Sequence, residues 1–369
     1  MQLAITCALG LESVVRKEVE RLGLPVTSVV DRVVRFEGDW DALAAAHLWS
    51  RTGSRVWVEL ASGPAKTFDQ AYALIASVPW KDWLPKDWPA LVTATSLRSA
   101  LAAESALQAV GKKATMAAVL AGGYGLVRED PNLPSLHVEL LLVGDELRVL
   151  LDATGPDALH KRSYRTQAGE APLKESLAAG LVQLAGWSFK DPFFDPFCGS
   201  GTIAIEAALY AANMAPGLTR SFAFEKWPAT PAGLPEKARE KARAAAITDK
   251  TYAIFASDED GFAVQMAETA AKKAGVAHLI KFSIKPFVPA DIAPAGALVC
   301  NPPYGVRMGA GQDLSPLYES LVGLFEKNPG LHGGVLTAWE GADAAFAGWK
   351  GRKFRVGGVD ARFWQRRRS

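Results

Sequence analysis

Beyond Asp152 the chain alternates short apolar runs with stretches of helical character, and no other feature constrains the fold as tightly. The runs at 193–195, 252–257, 280–284, 296–300 and 333–337 are of strand length. Helical spacing marks 172–184, 202–213, 262–273 and 315–325. Strands buried on both faces read as continuous apolar runs, and strand–helix alternation places helices over a mostly parallel sheet. The expectation is an α/β, Rossmann-like C-terminal domain. A last hairpin is expected within 352–364, turning at Gly357-Gly358, and the Pro-, Ala- and charge-rich residues 226–240 read as a long surface connection.

The first 150 residues read differently, as α+β. Strands are expected at 3–7, 29–36, 55–60, 90–97, 136–142 and 146–152, and helices at 11–22, 41–51, 68–75 and 105–120. Asp39 or Asp41 stands near the start of the second helix, and Gly144-Asp145 between two apolar runs is a hairpin turn. Pro79-Trp80 and 85–89 read as loop. No run of about 18 apolar residues occurs, so no membrane span is expected. The N-terminus lacks the basic region of a secretory signal. Cys7, Cys198 and Cys300 are far apart and show no metal-ligand spacing, which fits a reducing cytoplasm and no metal. Net charge is only +2. A nucleic-acid partner would therefore need local basic clusters, and the candidates are Lys112-Lys113, His160-Lys161-Arg162 with Arg165, and the tail Arg366-Arg367-Arg368. Each of these is also what an ordinary solvated surface looks like.

Two motifs carry chemistry. Asp195-Pro196-Phe197-Cys198-Gly199-Ser200-Gly201-Thr202 follows a strand and opens a helix. Its glycines let a ligand approach the main chain, and the helix start supplies free N–H donors. It is neither the phosphate loop nor the dinucleotide GxGxxG pattern. Asp258 ends the next strand, where an acid can take the hydroxyls of a bound ribose. The second motif, Asn301-Pro302-Pro303-Tyr304, follows the apolar run 297–300 and so sits at a strand's carboxyl end, the ligand edge of open α/β sheets. Two prolines stiffen the loop and remove two donors. The Asn301 side-chain oxygen and a proline carbonyl can then both accept from one exocyclic NH2, drawing its nitrogen toward a tetrahedral, nucleophilic state. Tyr304 offers a face on which a flipped base can stack.

With these motifs the chain resembles the class I methyltransferases that carry an N-terminal THUMP domain, in particular the bacterial family that methylates guanine N2 in 23S rRNA. The resemblance spans nearly the whole chain. It includes 48–56, similar to the N-terminal ferredoxin-like domain; 108–114, similar to the RNA-gripping THUMP helix; 159–165 with 171–175, similar to the family's junction motif; and the hairpin 353–365. It implies a seven-stranded methyltransferase sheet in 156–369, a ferredoxin-like domain in 1–60 and a THUMP domain in 61–155. It implies S-adenosyl-L-methionine bound by Asp195 to Thr202, Asp258 and Asn301, catalysis by Asn301, Pro302, Pro303 and Tyr304, and RNA contacts from Lys112, Lys113, His160, Lys161, Arg162 and Arg165. The chain departs from the family at Ser163, usually Gly; in the helix after Asp258, which lacks asparagine; and at Lys285-Pro286-Phe287, where relatives place an acid near the adenine. Groups near Phe287, or Asp291, are the substitutes available. The chemistry expected is direct transfer of a methyl group to nitrogen, with Cys198 and Cys300 as small strand-end residues rather than nucleophiles. Methylation of tRNA, or of an adenine N6, fits the same motifs. A non-catalytic RNA-binding or ribosome-assembly role is the reading of another class.

Overall fold

The computed structural model describes residues 1–123, 125, 134–165, 173–305 and 313–367, and divides the chain into two compact units. The first comprises Met1–Thr6, Arg16–Leu159 and Arg220–Glu240; the second comprises Cys7–Val15, His160–Thr219 and Lys241–Ser369.

Up to Asp152 the elements are β1 (Gln2–Cys7), α1 (Glu12–Arg21), β2 (Val26–Val30), β3 (Val33–Glu37), α2 (Trp40–Trp49), β4 (Gly53–Pro64), α3 (Phe68–Ala76), α4 (Trp80–Trp83), β5 (Ala90–Leu97), α5 (Glu104–Ala121), β6 (Leu136–Val143) and β7 (Glu146–Asp152). Local chemistry sets most of these bounds. The Asp39 carboxylate caps α2 by accepting from Ala42 N at 2.9 Å, and Thr67 with Gln70 forms a capping box on α3. Gly144 and Asp145, both at positive φ (59° and 65°), make the tight hairpin of β6 and β7. The seven strands form one sheet in the order β2-β3-β1-β4-β7-β6-β5. Residue 60, the expected domain boundary, falls inside β4, so 1–60 and 61–155 share this sheet.

Three local expectations are corrected. The single strand expected at 29–36 is a hairpin, because Arg32 takes the left-handed conformation (φ 64°) and reverses the chain. Trp80 starts a short helix rather than a loop, buried with its Nε1–H donating to the Ile75 carbonyl at 2.9 Å. The stretch 226–240 is not a plain surface connection. Trp227 is buried against Trp83 (ring centroids 5.5 Å apart) and Trp40 (6.5 Å), and α8 (Leu234–Ala244) begins within it. Just before it, Phe222 and Phe224 enclose the buried His47, at 4.7 and 4.8 Å. Burial pushes the pKa of His47 down to about 4, with the Leu43 carbonyl only partly opposing.

The second unit contains α6 (Glu175–Ala185), β8 (Phe193–Asp195), α7 (Thr202–Ala211), β9 (Ile254–Asp258), α9 (Gly261–Lys273), β10 (Ile280–Ile284), β11 (Ala295–Cys300), α10 (Ser315–Lys327), β12 (Gly330–Thr337), α11 (Ala342–Ala345), β13 (Lys350–Val356) and β14 (Val359–Arg366). Pro172, the expected start of α6, lies outside the described residues. The sheet order is β10-β9-β8-β11-β12-β14-β13. The first five strands are parallel, and β14 runs antiparallel to both its neighbours. This is the expected mostly parallel seven-stranded α/β sheet. β11 and β12 are buried along nearly their whole length, as their unbroken apolar runs require, and pack with Tyr318, Phe325, Phe346 and Trp364. From β8 the chain moves outward to β9 and β10, then returns to β11 on the other side of β8. The carboxyl end of β8 is thus the switch point of the sheet, where a crevice opens for ligands.

Candidate active site

Both motifs sit at that switch point, because they follow the adjacent strands β8 and β11. The glycine turn is tied to the next strand by Cys198 N–H, which donates to the Ser257 carbonyl at 2.9 Å. Asp258 closes the same seam: its carboxylate accepts from Gly199 N at 2.8 Å and from Asp260 N at 3.1 Å. The two glycines have different reasons to be glycine. Gly201 (φ 80°) packs so closely that a Cβ would lie 2.7 Å from that of Ala267. Gly199 (φ 50°) faces open space, with nothing within 4 Å of a Cβ, so its missing side chain leaves room over the turn.

Beneath the turn Asp195 is buried, and among the described residues neither of its oxygens has a hydrogen-bond partner of good geometry. Burial, and then the charge of Asp258, push its carboxyl well above the usual range; the amides of Phe197 and Ala204 only partly oppose this. Burial likewise raises the thiols of Cys198 and Cys300, which suits packed strand-end residues and not nucleophiles. A cavity of about 240 Å³ opens beside the turn, lined by Asp195, Pro196, Ser257, Ser283, Lys285 and Phe287, among others. Phe287 packs on Phe197 (ring centroids 5.1 Å apart), and Asp291, a further lining residue, is held by Lys285 Nζ at 2.7 Å. The segment that departs from the family pattern thus forms one wall of this cavity.

At the end of β11, Asn301 Oδ1 is buried and, among the described residues, receives no hydrogen bond. A buried acceptor without a donor is costly, and an incoming N–H would satisfy it. Pro302 is buried, and Pro303 and Tyr304 are half-buried. The Pro303 carbonyl is already taken: Tyr318 Oη donates to it at 3.0 Å. Tyr318 is fully buried on α10, pairs with Thr337 Oγ1 at 2.5 Å and stacks on Trp339 (4.3 Å, 9°). Trp339 N–H in turn donates to Thr337 Oγ1 at 3.0 Å. The loop is therefore stiffened from outside as well as by its prolines. Sequence reasoning missed Tyr318, since nothing local links it to a proline fifteen positions earlier.

The basic candidates separate. Lys112 and Lys113 lie on α5, half-buried and exposed respectively, in the first unit; Gln108 of the same helix is a packing residue, its Nε2–H donating to Val92 O at 2.7 Å. His160 is half-buried and Lys161 exposed, in the second unit. Arg162 is corrected: it is buried in an ion pair with Glu206 of α7, which also accepts from Tyr164 Oη at 2.8 Å. Burial opposes the Arg162 charge, but Glu206 outweighs it and holds the guanidinium pKa above its ordinary value. Arg165 binds the Thr202 hydroxyl at 3.0 Å and Leu173 O at 2.9 Å. The junction motif thus grips the helix that carries the glycine turn. Ala171 and Pro172 of that motif, and Arg368 of the tail, lie outside the described residues. Among the described residues there is no group of three or more His, Cys, Asp or Glu able to hold a metal, and no helix long and apolar enough to cross a membrane.

Known proteins share this architecture. Residues 162–344 match the family model described as the RMKL-like methyltransferase domain, and residues 2–57 match the RlmL ferredoxin-like domain. YpsC of Bacillus subtilis, named as a candidate RNA methyltransferase, is 38% identical over 369 residues, which span 98% of this chain and 95% of YpsC. The structure of SMU.472, described as a candidate methyltransferase in complex with SAH, is 33% identical with a TM-score of 0.86, covering 100% of this chain and 98% of that one. A Listeria monocytogenes protein, described by prediction as an N6-adenine-specific DNA methylase, is 35% identical with a TM-score of 0.86, covering 98% of this chain and 96% of that one.

Proposed function

The chain belongs to the RMKL-like methyltransferase family, and from that membership we propose that it is an S-adenosylmethionine-dependent RNA methyltransferase acting on the exocyclic N2 amine of a guanine in 23S rRNA. The observation that carries the chemistry is the buried Oδ1 of Asn301 at the switch point of the sheet, which has no donor among the described residues. An aromatic NH2 placed there would donate to Asn301 and to the Pro302 carbonyl, which lifts its lone pair out of conjugation. Tyr304 would hold the base by its ring face. The proton leaves to water after transfer, so no general base is required of the chain.

The residues at hand fit the cofactor. The open space over Gly199 admits a close approach to the main chain, and the carboxylate of Asp258 lies at the rim of the turn. The cavity between Pro196 and Phe287 suits a flat ring. When bound, S-adenosylmethionine supplies an activated methyl group on its sulfonium, so the protein's part is orientation and exclusion of water. Lys112, Lys113, His160 and Lys161 are the proposed phosphate contacts, and residues 61–155 the proposed THUMP region. The SAH complex of one relative and the name of another support the cofactor and the RNA.

Nucleoside mass spectrometry of 23S rRNA and tRNA from a deletion strain, complemented by the parent or by Asn301→Ala, tests the reading. Loss of one N2-methylguanosine from 23S rRNA, restored only by the parent, is expected. Loss of a methylated tRNA nucleoside or of N6-methyladenosine would reassign the substrate. An unchanged set of methylated nucleosides would refute the enzymatic reading and favour a non-catalytic RNA-binding role.

A further inference from the structure

Residues 350–367 hold seven lysines and arginines against one acid, Asp360, in a chain whose net charge is only +2. They form the edge hairpin of the second unit's sheet, β13 being the terminal strand. Register places this charge relative to the active site. Cys300, just before Asn301, pairs with Val335, two residues before the end of β12 at Thr337. Thr337 lies across from Arg362, and Arg362 across from Lys353. β13 runs in the same direction as β12, so Arg355 and the Gly357-Gly358 turn continue past the carboxyl edge, Arg355 by roughly 7 Å at ordinary strand rise. The hairpin thus projects from the edge that carries Asn301 and the glycine turn.

Lys353 and Arg355 are exposed, while Arg362 lies over the Trp364 ring at 4.8 Å and pairs with Asp343. Lys353 and Arg362 face each other directly, an arrangement of like charges that weakens a strand pair. Lysine on an edge strand also discourages edge-to-edge pairing. Arg362 thus has partners of its own on the inner strand, whereas edge protection alone needs no charge that projects past the ligand edge, as that of Arg355 does. We propose that this hairpin is an RNA-contacting surface that holds the phosphate backbone of the single strand flanking the target nucleotide. The proposal rests on the RNA methyltransferase reading above.

The test measures binding of a fluorescently labelled single-stranded RNA oligonucleotide of mixed sequence to the full chain as a function of salt. The double variant Lys353→Gln, Arg355→Gln should bind more weakly, with its log–log salt slope reduced by about 1.4, or about 0.7 for each lost phosphate contact. Lys353→Arg should keep the parent slope. S-adenosylmethionine affinity and the thermal midpoint should not change. Should the double variant lower the midpoint, Arg355→Gln alone, nearer the hairpin tip, carries the comparison with an expected change of about 0.7. Parent-like affinity and slope in the variants, with salt-dependent RNA binding by the parent, would overturn the hairpin assignment alone. A parent that binds no RNA would overturn the functional reading on which it rests.

Discussion

Replacing Asn301 by Ala should slow catalysis without lowering stability. The Asn301 Oδ1 atom is buried with no donor among the described residues, and a polar atom in that state costs about 1–3 kcal/mol. The residue as a whole is only half-buried, so truncation removes little packing. Asn301→Ala should therefore be as stable as the parent, or more stable by up to about 1–3 kcal/mol. Its rate of methyl transfer should nevertheless fall roughly a hundredfold or more, the usual loss for one preorganised polar contact made in the transition state. That corresponds to about 2.7 kcal/mol of barrier. Urea unfolding gives the first quantity. Single-turnover methylation with saturating RNA and labelled cofactor gives the second. A rate within a few-fold of the parent, or a destabilised variant, would show that 301–304 is an ordinary stiff loop and that Asn301 is held for the fold.

The other predictions concern the supports of the site. Gly199→Ala should fold, with a backbone cost of about 1–2 kcal/mol, yet bind S-adenosylmethionine much more weakly by calorimetry, whereas Gly201→Ala should lose further stability because its Cβ would meet that of Ala267 at 2.7 Å; equal stability in the two would contradict this division. Glu206→Gln leaves Arg162 buried without its main counter-charge and should cost about 3–5 kcal/mol in urea unfolding, while a loss under about 1 kcal/mol would mean that Glu175 balances Arg162 instead. His47 is buried neutral, so the unfolded chain binds a proton that the folded chain refuses between the ordinary pKa of 6.5 and the folded value of about 4. Stability is fully present above the first and falls as pH drops, by about 3 kcal/mol once the second is passed. His47→Phe should flatten that part of the pH–stability profile, and an unaltered profile would exclude His47 as its source.

Sequence alone determined what depends on near neighbours along the chain. The alternation of apolar runs and helical stretches after Asp152 dictated the parallel sheet, since period and length are local quantities. The Asp39 cap and the Gly144-Asp145 turn were legible for the same reason, as were the places of the glycine turn and of Asn301 at strand ends. Tertiary structure decided everything that depends on removing water. Lys161 and Arg162 look equivalent in sequence, yet one is exposed and the other is buried against Glu206, forty-four residues away. Trp227 stands in a stretch whose prolines and charges read as surface, and only a pocket between Trp40 and Trp83 makes it core. Tyr318 shows no local sign of its bond to the Pro303 carbonyl. The course of β14 between β12 and β13, which carries the basic hairpin to the active edge, follows from strand pairing across the sheet. A charge or a ring has no fixed role until the fold settles whether water or another side chain is its partner, because solvation competes with every such contact on nearly equal terms.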